Sequence, residues 1–134
     1  MLGPDHLDTL RSAHSHARDL WTSGFTALAR TYAQDTRLRL CATFGEDHPE
    51  ALRAADLLAR VLRTLGDLDG AHHLAEDTYH RRARLLGEAH VETLRSADLY
   101  ATALRTAGDT VRATELTRRT GQALRRLTAA TARA

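Results

Sequence analysis

Leucine and alanine residues recur along the chain at a spacing that predicts amphipathic helices. One apolar stripe, at positions i, i+3, i+7 and i+10 of a helix, is formed by Leu52, Ala55, Ala59 and Leu62. The same residue types stand 42 positions earlier and 42 positions later, at Leu10, Ala13, Ala17, Leu20 and at Leu94, Ala97, Ala101, Leu104. The pattern therefore predicts three related helices that recur at a fixed period.

Signals for helix ends recur with the same period. A glycine follows each apolar stripe, at Gly24, Gly66 and Gly108. Glycine readily adopts the left-handed conformation in which many helices end. Asp67 and Asp109 come next and are suited to cap a second helix, whereas Phe25 removes that cap from the first unit. Each unit is therefore predicted to hold a pair of helices.

The turns before the apolar stripes carry start signals of unequal strength: the first is a weaker copy of the middle one, and Ala89 removes the cap from the third while Glu92 remains. At the middle turn, Asp47 stands three residues before Glu50, as in a capping box, and Pro49 falls inside the first helical turn. Together, the start and stop signals predict helices at about 5–23, 25–42, 47–65, 67–85, 89–107 and 109–131.

A period of 42 residues is typical of stacked helical repeats, in which each unit buries its apolar face against its neighbours. The predicted fold class is all-α, an α-solenoid of three stacked antiparallel helix pairs. The chain is predicted to form one domain, 1–134, with repeat units 2–43, 44–85 and 86–127 and a C-terminal tail, 128–134.

The repeated pattern resembles a known family. The turns LGPDH, FGEDH and LGEAH begin at Leu2, Phe44 and Leu86, and small residues stand at Ala59 and Ala71. These features are similar to the 42-residue tetratricopeptide repeat of the kinesin light chain type, and the resemblance covers residues 2–127. It implies a right-handed superhelix whose first helices line a concave groove that binds peptides or protein segments.

A second, polar stripe on the first helix of each unit supplies the candidate binding residues. The resemblance maps this stripe to the groove, whose candidates are Arg11, His14, Arg18, Trp21, Arg53, Asp56, Arg60, Arg63, Arg95, Asp98 and Arg105. Guanidinium groups bind carboxylates bidentately, so the predicted partner is a protein or peptide with acidic side chains or a carboxyl terminus. The alternative is a solvated face that pairs with itself through Arg53–Asp56–Arg60 and Arg95–Asp98, at about 0.2–0.5 kcal/mol a pair.

Two features of this stripe have alternative interpretations. The family usually carries paired asparagines that contact the ligand backbone, but this chain has His14-Ser15, Asp56-Leu57 and Asp98-Leu99 at those positions, so that mode of binding is not expected. In the first unit, Trp21, Phe25 and Tyr32 are predicted either to pack as a core or, for Trp21, to anchor a ligand.

Composition narrows the class of protein. The 19 basic and 17 acidic residues give a net charge of +2, which supplies no electrostatic argument for nucleic acid. The single cysteine, Cys41, favours a reducing compartment, and neither a signal peptide nor a membrane-spanning apolar run is recognisable. The predicted location is cytoplasmic, without membrane contact.

The sequence carries no motif for catalysis or for a metal. Of the eight histidines, His6, His48 and His90 recur because the turn recurs, and they are predicted to be structural. HExxH, GxSxG and phosphate-binding loops are absent, and one cysteine does not make a zinc-thiolate cluster. We therefore predict a non-enzymatic adaptor without cofactors.

Other roles remain open at this point. Polar residues at Ser15 and His16 predict that the first unit is an end cap, and the last helix resembles a second cap. An end that is not fully polar predicts association between copies, with Leu124 and Leu127 as contacts. Two further hypotheses are a regulatory or sensor fragment of a larger bacterial signalling protein and binding of a small ligand or nucleic acid by the arginine face.

Overall fold

The computed structural model describes residues 3–133, which form six α-helices. They are α1 (Leu7–Thr22), α2 (Thr26–Phe44), α3 (Pro49–Leu65), α4 (Leu68–Leu86), α5 (Val91–Thr106) and α6 (Thr110–Arg133). Residues 3–133 contain no β-strand. Each helix boundary lies within two residues of its predicted position. Met1 and Leu2, where the first predicted unit begins, and Ala134, the last residue of the predicted tail, lie outside the described residues.

Three recurring histidines, His6, His48 and His90, cap the helices α1, α3 and α5. The backbone of each is extended, and its Nδ1 accepts a hydrogen bond of 3.1 Å from the N–H two residues later. The prediction that these histidines are structural is confirmed. The predicted cap at Asp47 is wrong because His48 takes the cap position, and the helix accordingly begins at Pro49.

Replacing His48 by alanine is expected to lower the free energy of unfolding by about 1 kcal/mol, because an N–H at the helix start loses its acceptor. Denaturant unfolding measures the change. His48→Asn keeps a capping acceptor and should retain most of the stability, whereas the exposed His73→Ala in α4 should lose none. An equal loss in His48→Asn would assign the effect to the ring contact between His48 and Phe44 instead.

The helix-end signals predicted from glycine and aspartate are confirmed. Gly66 ends α3 with a left-handed backbone, at φ 87°. Asp67 Oδ1 and Asp109 Oδ1 each accept a hydrogen bond from the N–H three residues later, at 3.0 and 3.1 Å. α2 begins after Phe25 without a side-chain cap. Short loops built in this way join α3 to α4 and α5 to α6.

The chain divides into two compact units, one up to Leu74 and one from Ala75 onward, so that α4 contributes to both. In the first unit α2 packs against α1 and α3, and α1 also contacts α3. Arg39 near the end of α2 pairs with Asp5 just before α1, at 3.2 Å, so these helices run antiparallel. The prediction of an all-α fold is confirmed, and the division into three units of 42 residues stays a prediction.

In the first compact unit, leucine side chains of one helix pack against alanine side chains of another. One buried cluster joins Leu10 of α1 and Leu40 of α2 to Ala51 and Ala54 of α3. The small alanine side chains let α3 approach the two leucines, which are each only 1% exposed. A second cluster reverses the roles, with small residues on α1 and α2 and large ones on α3; its members are Ala17, Ala29, Ala33, Leu57, Leu58, Val61, Leu62 and Ala71.

The aromatic residues of the first unit do not form the predicted core. Trp21 is partly buried against the second cluster, but Phe25 and Tyr32 are 61% and 41% exposed. Tyr32 packs edge-on against His16, with 5.1 Å between the ring centroids. The core is instead made of aliphatic side chains, and the predicted small positions Ala59 and Ala71 are buried in it as expected.

In the second compact unit a buried arginine, Arg82, links α4 to α5, and the equivalent position in the first compact unit is a leucine. Arg82 of α4 is 3% exposed, and its guanidinium donates to Ser96 Oγ at 2.8 Å and to the Glu92 carbonyl at 3.2 Å. Its Nη2 also lies 3.5 Å from the Glu92 carboxylate. The residue 42 positions earlier is Leu40, so the same buried position of the repeat holds an apolar side chain in one unit and a charged one in the next.

Candidate functional site

The polar stripes of α1 and α3 meet on one face, and a buried carboxylate joins them. Glu50, 7% exposed, lies in the first turn of α3. Its Oε1 accepts from Arg11 Nε of α1 at 3.2 Å and from Arg53 Nη1 at 3.4 Å. Two of the predicted binding arginines are therefore held by one internal acid.

The same acid–arginine pair occurs on all three helices that begin a repeat. Arg11 pairs with Asp8 at 3.5 Å, and Arg95 pairs with Glu92 at 3.2 Å. The alternative drawn from the sequence paired Arg53 with Asp56 and Arg95 with Asp98, whereas the ion pairs described here run to the acid one turn earlier. The recurrence of an acid 42 residues apart, at positions 8, 50 and 92, is the signal that identifies it.

His14 lies on the same face and is buried. Burial lowers the pKa of its imidazole, and the charge of Arg18 lowers it further, with a smaller opposing effect of Glu50. His14 is consequently neutral at neutral pH, and this part of the face owes its positive charge to arginine alone.

The C-terminal ends of α1 and α3 are joined by a hydrogen bond. Trp21 Nε1 donates to Thr64 Oγ1 at 3.1 Å, and the indole packs partly against the second cluster. This contact places the last turns of the two helices side by side. Thr64 was not among the predicted site residues, because a single threonine gives no signal until the two helices are known to touch.

Three predicted arginines on α1 and α3 lack the acidic partner that Arg11 and Arg53 have. Within residues 3–133, Arg18, Arg60 and Arg63 have no carboxylate at ion-pair distance. Arg18 lies one turn before Trp21 on α1, and Arg60 and Arg63 lie one turn and one residue before Thr64, the partner of Trp21, on α3. We call these three arginines with Trp21 the cationic cluster. It can hold a ligand carboxylate without first breaking an internal ion pair.

Asp56 and the α5 residues differ from this cluster. Asp56 is 8% exposed, so little of its side chain is open to a ligand. In the second unit, Asp98 and Arg105 line a cavity of about 280 Å³, and Arg105 Nη2 donates to Thr102 Oγ1 at 3.3 Å. Arg95 is exposed beside its acid. The structure thus brings the predicted residues of α1 and α3 together and places those of α5 in the other unit.

The second unit holds a cavity that sequence analysis missed. It has a volume of about 640 Å³, and its walls include the rings of Tyr79, His80 and Tyr100. Burial raises the pKa of both Tyr79 and Tyr100, which keeps their hydroxyls protonated at neutral pH. A weak signal was present, since Tyr79 stands where the preceding unit has Arg37 and Tyr100 where it has Leu58.

Comparison with known proteins agrees with the helical repeat. The sequence model of the tetratricopeptide repeat family matches residues 51–92, a stretch as long as one predicted unit. A solved putative kinesin light chain from Podosopora anserina, with nearly identical TPR-like repeats, matches 90% of the chain with 26% identity and a TM-score of 0.83. Over most of its length the chain is thus similar to tetratricopeptide repeats of the kinesin light chain type. Its predicted fold class, an all-α helical solenoid, is thereby confirmed.

A second solved structure of the Podosopora anserina protein, that of a variant with one substitution, matches 99% of this repeat protein with 26% identity and a TM-score of 0.79. The chain spans 57% and 61% of the lengths of these two solved chains. No curated protein sequence is significantly similar to it.

The repeat fold limits the class of activity. Tetratricopeptide repeats are typically non-enzymatic scaffolds for interactions between proteins. None of the described helices combines the length and apolarity that a membrane-spanning helix requires. Among residues 3–133, no group of three or more His, Cys, Asp or Glu side chains is placed to hold a metal ion.

Proposed function

We propose that this repeat protein is a cytoplasmic adaptor that binds an acidic segment of a partner protein on the face formed by α1 and α3. The observation that carries the proposal is the cationic cluster, in which Arg18, Arg60 and Arg63 lack an internal carboxylate partner within residues 3–133. Two aspartate or glutamate side chains, or one of them and a carboxyl terminus, would complete these ion pairs.

The neighbours of the cationic cluster suit this role. Glu50 pairs with both Arg11 and Arg53, so the charges of these two side chains are already matched by an internal acid. The partly exposed indole of Trp21 offers apolar contact beside the guanidinium groups, and tryptophan and arginine are both enriched at binding hot spots. Guanidinium groups contribute directional hydrogen bonds to carboxylate as well as charge.

The remaining predicted site residues take minor roles in the proposal. Neutral His14 supports the face between Arg18 and Glu50, and buried Asp56 limits direct contact at the centre of α3. The corresponding residues of α5, which belong to the other unit, stay predicted contacts; they are Arg95, Asp98 and Arg105.

A purely structural role for the same arginines is the competing explanation. Arg63 lies in the last turn of α3, where a cation offsets the partial negative charge of the helix end. That effect is worth about 0.3–1 kcal/mol and requires no ligand. Replacing the three arginines by glutamine would then cost stability and leave binding unchanged.

Calorimetric titration with a glutamate-rich peptide distinguishes the two explanations. The triple variant Arg18→Gln, Arg60→Gln, Arg63→Gln is expected to bind at least about tenfold more weakly than the wild type, since charge-assisted hydrogen bonds contribute about 1.5–3 kcal/mol each. The matched control removes the same charge at exposed arginines outside the cationic cluster, with Arg30→Gln, Arg126→Gln and Arg133→Gln.

The control variant should keep the wild-type affinity. Equal weakening of both triple variants would show that net charge alone attracts the peptide, and equal affinity of all three proteins would place the site elsewhere. Circular dichroism should show unchanged helix content in both variants, because every replaced side chain is at least partly exposed.

A further inference from the structure

The cavity of the second compact unit has the size and the residue types of a small-molecule site. Its volume is about 640 Å³, and such sites usually measure about 300–1,000 Å³. It is lined by residues of α4, α5 and α6, all of which belong to the unit that starts at Ala75. We call it the aromatic cleft, after the rings of Tyr79, His80 and Tyr100 that line it.

The aromatic cleft has a buried floor and exposed walls. Tyr79 and Tyr100 are 5% and 4% exposed and form part of the floor, with 5.7 Å between their ring centroids. Val111 is 79% exposed at the rim, and His80 and Arg119 are exposed as well. A ligand ring would therefore enter between exposed side chains and meet a floor that the packing of the helices already holds in place.

The packing of the repeat does not require the aromatic residues of the cleft. Leu104 and Leu116 stand where the preceding repeat has Leu62 and Leu74, so these leucines belong to the packing that the repeats share. The other positions differ in character: the preceding repeat has Arg37, Leu38, Leu58 and Asp77 in place of Tyr79, His80, Tyr100 and Arg119. Three rings and a cation are thus particular to the cleft.

The hydroxyl of Tyr79 lacks an internal partner. The side chain is buried, yet no hydrogen bond joins its oxygen to another residue within 3–133. Burial raises the pKa of Tyr79, and the charges of Glu88 and Arg119 act on this pKa in opposite directions. The hydroxyl is therefore protonated at neutral pH and lies near that ion pair. A buried donor without an acceptor is unfavourable, and an oxygen atom of a ligand would satisfy it.

Arg119 supplies a second donor near the same hydroxyl. Its guanidinium pairs with Glu88 through Nη2. A guanidinium carries five N–H donors and can serve two carboxylates, as Arg11 does with Asp8 and Glu50 in the first compact unit. Arg119 can therefore bind the carboxylate of a ligand while it keeps Glu88.

We propose that the aromatic cleft binds a small planar aromatic carboxylate. The ligand ring packs against Tyr100 between His80 and Val111, and its carboxylate accepts hydrogen bonds from Arg119 and from the Tyr79 hydroxyl. Ring packing and charge-assisted hydrogen bonds together favour an aromatic acid over a neutral ring or an aliphatic acid. The proposal does not rest on the peptide binding proposed above, because the cationic cluster consists of residues of the first compact unit.

Titration of the isotope-labelled protein with 2-naphthoate, followed by NMR, tests the proposal. The naphthoate protons should show nuclear Overhauser contacts to the methyl groups of Val111. The neutral analogue 2-naphthalenemethanol and the aliphatic acid cyclohexanecarboxylate should each bind at least about tenfold more weakly. Absence of naphthoate binding, or equal binding of either analogue, would overturn the proposal.

Two substitutions separate a role in binding from a role in folding. Tyr79→Phe should weaken naphthoate binding about fivefold, and Arg119→Gln at least about tenfold. Tyr79→Phe should leave the midpoint of thermal unfolding unchanged, because the lost hydroxyl has no internal partner. A lower midpoint with unchanged affinity would assign the hydroxyl to the fold and overturn its role in binding.

Two controls locate the bound carboxylate. Arg126→Gln removes the same charge from an exposed position of α6 that does not line the cleft, and it should bind naphthoate like the wild type. The triple glutamine variant of the cationic cluster should also keep the wild-type affinity for naphthoate. Loss of binding in that triple variant, with binding retained in Arg119→Gln, would place the carboxylate at the cationic cluster and overturn the proposal. Failure of naphthoate binding would leave the proposed peptide binding untouched.

Discussion

Replacing Arg82 by alanine is expected to lower the free energy of unfolding by about 3–5 kcal/mol, among the largest effects of any single substitution in the chain. The guanidinium is buried, and it satisfies the Ser96 hydroxyl, the Glu92 carbonyl and the Glu92 carboxylate at once. Its removal leaves these groups without that partner in a space that water does not readily fill. Urea unfolding followed by circular dichroism measures the loss.

The chain itself supplies the control for this substitution. At the positions 42 residues before Arg82 and Ser96 stand Leu40 and Ala54, which pack together in the first unit. The double variant Arg82→Leu, Ser96→Ala copies that apolar pair and should recover most of the stability, because replacing a whole buried polar set is often close to neutral. A double variant as unstable as Arg82→Ala would mean that the loss comes from volume and not from unpaired polar groups.

Replacing Leu40 by alanine is expected to lower the free energy of unfolding by about 2–5 kcal/mol. Leu40 is fully enclosed by Leu10, Ala51 and Ala54, so its loss leaves a cavity between α1, α2 and α3. Those neighbours cannot fill the space, since two of them are alanine. The measurement is again denaturant unfolding, with the m-value checked to exclude a change in the unfolded state.

Leu124→Ala is the matched control, because Leu124 occupies the same repeat position but is 39% exposed. Its loss should cost no more than about 0.5 kcal/mol, as for other surface substitutions. Equal losses in the two variants would show that repeat position, and not enclosure by α3, determines the contribution of the leucine.

The positions of the helices were predicted well because the residues that determine them lie within a few positions of one another in the sequence. The apolar stripes give the helical period, Gly66 requires a left-handed backbone, and the side chain of Asp67 reaches an N–H three residues away. The cap at α3 was misplaced by one residue because aspartate is the commoner capping residue, while His48 offers an equivalent acceptor in Nδ1.

The contacts between helices were predicted less well. Glu50 was identified as part of a cap, but its bond to Arg11 depends on the approach of α1 to α3, which joins residues 39 positions apart in sequence. Arg82 gave no signal because an arginine in a helix is usually exposed, and its burial follows from where α4 meets α5. Phe25 and Tyr32 show the converse, since both were predicted to pack in a core and are 61% and 41% exposed.

The sequence predicted which residues form the candidate binding face, and the structure shows which of its arginines lie beside an acid. Arg11, Arg53 and Arg95 have acidic partners, whereas Arg18, Arg60, Arg63 and Arg105 have none within residues 3–133. Sequence spacing alone does not distinguish among these seven arginines, because it does not show which acids lie beside them. Of these four unpaired arginines, three lie near the hydrogen bond between Trp21 of α1 and Thr64 of α3, and the proposed ligand contact is placed there.

The most direct measurement of the proposed function is the signal of the single tryptophan, Trp21, during titration with a glutamate-rich peptide. Its indole lies in the cationic cluster and donates to Thr64, so a ligand bound there should shift its NMR N–H resonance and change its fluorescence saturably. A lysine-rich peptide of the same length should leave both signals unchanged. Binding detected by calorimetry without any change at Trp21, or no binding at all, would contradict the assignment of this face.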